Sequence, residues 1–158
     1  MISTQASTDK MTKKALFPGT FDPFTVGHAN IVERALPLFE KIVIAVGIND
    51  SKRPLYPTEK RVQFIRSLYE NDSRIEVMSY DDLTLDLAHR INANFILRGI
   101  RSVKDFEYER DVAAMNKRLG GVETILMLTE PQYASISSSV VRELIRYGRD
   151  VSEFLPKP

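Results

Sequence analysis

The residue types best suited to chemistry fall in four short segments. The longest, Pro18-Gly19-Thr20-Phe21-Asp22-Pro23-Phe24-Thr25-Val26-Gly27-His28, lies between an apolar run at 15–17 and a helical pattern. Its glycine spacing is neither that of a Walker loop nor that of GxGxxG. Its parts nevertheless suit a phosphate. Gly19 permits close backbone approach, Thr20 offers a hydroxyl and an N–H, and Gly27-His28 open a helix whose N-terminus favours anions. A histidine there can donate to a phosphate oxygen. A bare TxGH would be read first as an Asp-Pro turn before an ordinary first-turn histidine; the whole string, set between strand and helix, is harder to dismiss. Asp22, one carboxylate beside a proline, reads as a turn residue and not as a metal ligand.

The other segments also carry charge or hydroxyls. Lys52, in Ser51-Lys52-Arg53-Pro54, could reach an anion at the edge of a sheet or be a solvated surface lysine. Arg98-Gly99-Ile100-Arg101 sets two guanidiniums about a glycine, and guanidiniums make paired charge-assisted bonds to phosphate. Ion pairs to Asp105, Glu107 or Glu109 are the alternative, and both can hold at once. Ile136-Ser137-Ser138-Ser139 precede a helical segment, where serines cap orphan N–H groups and also suit phosphates. His89 falls in an amphipathic stretch and reads as structural. Arg142 suits a salt bridge on a helix face at least as well as a ligand.

The elements that must position these residues alternate. Apolar runs at 15–17, 42–46, 75–78, 95–97 and 124–128 have strand length and composition. Three-to-four spacing marks helices through Ile31, Val32, Ala35, Leu36 and Phe39, through Val62, Ile65 and Tyr69, and through Val112, Met115 and Leu119. Val140, Val141, Leu144 and Ile145 repeat it, and residues 83–91 form a shorter candidate. Thr58-Glu59 suits a helix start, Gly120-Gly121 a stop, and Pro37 a shortened or kinked end. Such alternation predicts one α/β Rossmann-like domain over 14–158, a five-stranded parallel sheet with helices on both faces. Residues 1–13 are expected to be a flexible polar arm, with Met11 a possible alternative start. Ligands of such sheets bind beyond the carboxyl ends of strands, where all four segments lie.

Composition narrows the chemistry further. The chain has 158 residues, with 22 Lys plus Arg against 21 Asp plus Glu, a formal charge of +1. That balance argues against a dedicated nucleic-acid binder. No cysteine excludes thiol catalysis and Cys-ligated metals, and two histidines are too few for a His-rich metal site. No run approaches the ~18 apolar residues of a spanning helix, so no membrane role and a cytoplasmic location are expected.

PGTFDPFTVGH resembles the (H/T)xGH signature of the nucleotidyltransferase superfamily, related to the HIGH motif of class I aminoacyl-tRNA synthetases. In its long form it is similar to the phosphopantetheine adenylyltransferase family, and SKRP, RGIRSVKDFEYE (98–109) and YASISSS (133–139) extend the likeness over about 14–156. The resemblance implies adenylyl transfer from ATP to 4′-phosphopantetheine, giving dephospho-coenzyme A and pyrophosphate in coenzyme A synthesis. It implies catalytic roles for His28, Lys52 and Arg101. Thr20, Lys52, Thr84 and Arg98 would bind the acceptor, Thr84 standing where the family usually has Leu or Met. ATP would meet Thr20, Phe21, His28, Gly99, Ile100, Arg101, Glu109 and the segment Tyr133, Ala134, Ser135, Ile136, Ser137, Ser138 and Ser139. Mg²⁺ would arrive on the ATP phosphates, with no protein metal site. A homohexamer and feedback by coenzyme A are also implied. Rivals are a nucleotidyltransferase with another substrate, against which RGIRSVKDFEYE speaks, and a catalytically silent nucleotide sensor, against which the transition-state donors speak.

Overall fold

The computed structural model describes residues 12–49 and 53–158, so Lys52 and most of the expected arm lie outside the described residues. The described residues form five strands: β1 (Lys14–Gly19), β2 (Lys41–Gly47), β3 (Ile75–Tyr80), β4 (Phe95–Ile100) and β5 (Glu123–Leu128). They alternate with α1 (Val26–Ala35), α2 (Thr58–Tyr69), α3 (Thr84–Arg90) and α4 (Val103–Gly120), and α5 (Ser138–Arg146) follows β5. All pairings are parallel, in the order β3-β2-β1-β4-β5. The chain therefore winds outward from β1 to β3, returns across the sheet, and winds outward again. The α/β class and parallel sheet expected from the alternation are what the chain adopts.

The pleat divides the core in two. Ala15 and Phe17 of β1 join Ile42, Ile44 and Val46 of β2 beneath Ile31, Val32 and Ala35 of α1 and Val62 and Ile65 of α2. Leu16, Val43 and Ala45 point the other way, against Leu85, Leu87 and Ala88 of α3. Both faces of the central strands are thus covered, which is why their sequences read as continuous apolar runs.

The order reverses at β1, and a proline there opens the sheet. The β1–β2 ladder runs to Gly19–Val46, whereas the β1–β4 ladder ends at Leu16–Ile96. Pro18 has no N–H to continue it. Its carbonyl instead accepts from Arg98 Nη1 at 2.8 Å. Beyond that point β1 and β4 part, and the crevice lies at the carboxyl ends of the strands.

Helix boundaries differ from the periodicity where capping decides. α1 begins at Val26 because Thr25 caps it, and Pro37 falls in a 3-10 turn, Leu36–Leu38, after its end. α2 starts at Thr58 without a side-chain cap. α4 starts at Val103, well before the apolar repeat, because Ser102 accepts from Asp105 N–H, and it stops at Gly121 in the left-handed conformation, φ 70°. Of the three apolar residues whose spacing marks this helix, Val112 is half-buried, while Met115 and Leu119 are 52% and 67% exposed.

Gly19 is constrained by a ring. A Cβ there would sit 2.8 Å from Cε1 and Cζ of Phe21, which is itself buried against Phe17 and Phe24. Gly19→Ala should lower unfolding free energy by about 1–3 kcal/mol, the usual cost of overpacking. Chemical denaturation monitored by circular dichroism measures it, and an unchanged midpoint would contradict the packing.

Candidate active site

Thr25 begins the site because it is both a cap and an anchor. Its hydroxyl accepts the backbone N–H of His28, and its own N–H donates to His28 Nδ1 at 2.9 Å. This is a capping box in which histidine replaces the usual Glu or Gln. A backbone N–H can only donate, so Nδ1 must be the unprotonated nitrogen. The proton of the neutral ring is on Nε2, the other edge, and the ring lines the cavity. Phe21 and Phe24 hold the ring in place, with centroids 5.0 and 5.3 Å away. Burial, with the like charges of Arg101 and Arg98 added, pushes the imidazole down to about 3. His28 is therefore a neutral N–H donor at physiological pH.

The arginines at the end of β4 are each oriented by an acid on α4. Arg98 donates from Nε to both carboxylate oxygens of Glu109 at 3.0 Å, from Nη2 to Oε1 at 2.7 Å, and from Nη1 to the Pro18 carbonyl. Glu109 is buried, so this pair holds its geometry better than a surface ion pair. Of the five N–H groups of Arg98, one on each Nη remains for a ligand. Arg101 is exposed; its amide meets Asp105 Oδ2 at 3.1 Å and its Nε lies 3.6 Å from the same oxygen. Both expected kinds of role, ion pair and cavity wall, coexist.

Ser137, Ser138 and Ser139 divide their work. Ser137 caps α5 by accepting from Val140 N–H, Ser138 Oγ donates to the Pro23 carbonyl at 2.8 Å, and Ser139 Oγ accepts from Arg142. Arg142 also donates to the Asp22 carbonyl at 2.9 Å. It thus ties α5 to the first loop where a helix-face salt bridge was expected. Asp22 is buried, and its carboxylate accepts the N–H groups of Leu55 and Tyr56 at 2.7 and 2.9 Å. It serves as a backbone clamp. His89 is exposed, and its Nε2 lies 2.9 Å from the Gly120 carbonyl.

One cavity of about 320 Å³ collects most of the expected residues: Thr20, Phe21, His28, Arg98, Gly99, Arg101, Glu109, Tyr133, Ile136 and Ser137–Ser139. Ile100 is buried in the sheet, and Ala134 and Ser135 are exposed in the turn before α5; none of the three lines it. Thr84 lies elsewhere, in a second cavity of about 150 Å³ over β1, β4 and β5. Arg98 and Glu109 wall both cavities. Sequence reasoning missed Ile31 and Thr129 in the first, and Tyr108, Val112, Asn116 and Thr124 in the second. The four-residue spacing of Tyr108, Val112 and Asn116 was the available signal, since it puts them on one helix face. Thr124 Oγ1 is buried with no hydrogen-bond partner. Among the described residues no group of three His, Cys, Asp or Glu could hold a metal ion, and no helix is long and apolar enough to cross a membrane.

The switch-point crevice, the capped His28 and the two helix N-termini are the setting of a nucleotide-binding α/β protein. The model of the cytidylyltransferase-like family matches residues 16–144. The fold is similar to that of a protein assigned as a nicotinate-nucleotide adenylyltransferase from Vibrio parahaemolyticus, with a TM-score of 0.68 at 19% identity over 93% of this chain and 95% of that one. It is also similar to a bifunctional NMN adenylyltransferase/ADP ribose pyrophosphatase from Francisella tularensis, with a TM-score of 0.71 at 17% identity over 92% of this chain and 45% of that one. Sequence similarity is narrower. Phosphopantetheine adenylyltransferase from Bacteroides thetaiotaomicron is 54% identical over 92% of this chain and 96% of its own length. That from Porphyromonas gingivalis is 52% identical over 90% and 94%. The chain belongs to the phosphopantetheine adenylyltransferase family.

The tautomer gives a pH test. The unfolded imidazole takes a proton near its ordinary 6.5, while the folded one resists until about 3. The contribution of His28 to stability is therefore full above 6.5 and is lost as pH falls toward 3. Nitrogen NMR of the free protein should show the neutral Nε2–H form throughout pH 5–8, and urea unfolding at stepped pH should show an acid slope that His28→Gln reduces. An imidazole titrating near 6.5 would contradict the geometry.

Proposed function

We propose that the chain catalyses reversible transfer of the adenylyl group of ATP to 4′-phosphopantetheine, forming dephospho-coenzyme A and pyrophosphate. The observation that carries the mechanism is the neutral, orientationally fixed His28 facing a cavity shared with Arg98, Arg101 and the α5 N-terminus. The reaction needs no protein nucleophile. An oxygen of the ionised acceptor phosphate bonds to the α-phosphorus of ATP, and the bond from that phosphorus to the bridging oxygen of pyrophosphate breaks. Positioning and electrostatic stabilisation are what the protein must supply.

Each part has a physical task. His28 Nε2–H donates to the α-phosphate as charge develops, and a neutral donor needs no prior deprotonation. The two free N–H groups of Arg98 hold the acceptor phosphate, together with Thr20 and Lys52. Arg101 and the N-terminal N–H groups of α5 hold the departing pyrophosphate. Phe21, Gly99 and Tyr133 complete the nucleotide wall, and Ile100, Ala134 and Ser135 act through backbone placement. Glu109 orients Arg98 and lies between the two substrates. Mg²⁺, carried as part of the ATP substrate, neutralises phosphate charge.

The second cavity suits the pantetheine arm. It begins at Arg98 and Glu109, and Thr84, Tyr108, Asn116 and the unpartnered Thr124 Oγ1 offer polar groups to amides beside Pro18, Ile96, Val112 and Ala113. Coenzyme A carries the same arm and would compete there as a feedback ligand. Exposed Phe106, Met115, Leu119 and Leu128 support assembly into a homo-oligomer, a hexamer on the family pattern. The cytoplasm is the proposed location.

Incubation with Mg²⁺-ATP and phosphopantetheine should yield dephospho-coenzyme A and pyrophosphate in equal amounts. ATP binding without either product would support a sensor. His28→Ala should reduce turnover on the order of 10²–10³-fold, the usual loss for one preorganised donor. Lys52→Ala should raise the KM of phosphopantetheine more than that of ATP, and equal increases would displace Lys52 from the acceptor.

A further inference from the structure

Arg61 is a buried charge that none of the steps above uses. It lies on α2, 4% exposed. Burying a guanidinium is costly unless its donors are paired. Here the partners are neutral oxygens from separate connections. Nη1 donates to the Thr20 carbonyl at 2.6 Å and the Gly47 carbonyl at 3.3 Å, Nε to the Tyr56 carbonyl at 3.0 Å, and Nη2 to Thr58 Oγ1 at 3.0 Å. One side chain therefore joins the loop after β1, the end of β2 and the start of α2. Asp22, through Leu55 and Tyr56, ties the same loops a second time.

The shortest of these bonds fixes a peptide plane in the site. The Thr20–Phe21 peptide is trans, so the Thr20 carbonyl and the Phe21 N–H point in opposite directions. Drawing the carbonyl toward α2 turns the Phe21 N–H to the other side of the loop. Arg61 borders an apolar cavity with Pro23, Phe24 and Phe64, whereas Thr20 and His28 border the cavity of about 320 Å³; Phe21 lines both. Phe21 has φ 49°, a left-handed conformation that side chains other than glycine adopt only when their surroundings impose it. On the α2 side Arg61 holds the carbonyl that precedes Phe21.

We propose that Arg61 is a positioning residue for adenylyl transfer: by holding the Thr20 carbonyl it presents the Phe21 N–H to the transferring phosphate beside His28 Nε2. This rests on the adenylyl-transfer mechanism above. An anion approaching from the crevice then meets two aligned donors, one from a backbone and one from a ring, both set before substrate arrives. Arg61→Lys keeps the charge but loses the planar fork that joins the loop after β1, the end of β2 and the start of α2.

The test combines NMR with kinetics. In ¹⁵N-labelled wild-type protein, Mg²⁺-α,β-methylene-ATP should move the Phe21 amide proton downfield. In R61K that shift should shrink by about half or more, and turnover should fall about tenfold while both KM values stay within about threefold. Ile65→Val, a buried change on the same helix, controls for lost stability and should keep wild-type turnover per folded molecule. A silent Phe21 amide in wild type overturns the proposal without any variant having to fold. So does R61K turnover within about twofold of wild type, or an equal loss in Ile65→Val. Failure of the wild-type protein to form dephospho-coenzyme A would instead overturn the adenylyl-transfer mechanism, so the two failures are distinguishable.

Discussion

The site depends on the parting of β1 from β4. Parallel strands in the middle of a sheet normally stay paired along their length, because each unpaired amide costs free energy when buried. Here the ladder ends at Leu16–Ile96. Pro18 has no donor to lose, and its carbonyl finds Arg98. The strands can therefore diverge without leaving an orphaned group on the β1 side. Arg98 gains an anchor in the same contact. A crevice opens at the point where the winding reverses, and the loops after β1 and β4 become its two walls.

Electrostatics follow from that arrangement. The chain is close to neutral overall, yet its proposed substrates are polyanions. The positive groups gather at one rim, and Glu109 and Asp105 orient them without filling every donor. His28 stays neutral because it is buried near two guanidiniums, and the Thr25 N–H decides which nitrogen carries the proton. A charged imidazole would add to repulsion among the cations of the empty site. A neutral one offers a directed N–H at no such cost. The aromatic packing of Phe17, Phe21 and Phe24 around the ring keeps its donor aligned toward the cavity.

Much of this was legible in the chain itself. Apolar runs of strand length revealed β1 to β5, since strands buried on both faces need uninterrupted hydrophobicity. TxGH showed a helix start and a possible phosphate donor together. The α4 repeat revealed a helix, yet Met115 and Leu119 are exposed on it. Periodicity reports that a face is apolar and says nothing of what covers it. Arg61, lying in a run of ordinary helix-forming residues, carried no signal: its importance comes chiefly from carbonyls 5, 14 and 41 residues away in number, and a carbonyl has no letter in a sequence.

The sequence by itself determined the α/β class, the residue types gathered in the loops after β1 and β4, and the family, because these rest on local periodicity and on residue types at fixed spacing. Only the tertiary structure decided that Arg98 is held by Glu109 and Pro18 with two donors left over, that Asp22 clamps Leu55 and Tyr56, and that Thr84 lies in a separate cavity from His28. Each of those facts is a distance between segments far apart in the chain. Spacing along a sequence constrains neighbours on one element; which donor meets which acceptor across the crevice is set by packing once the sheet has formed.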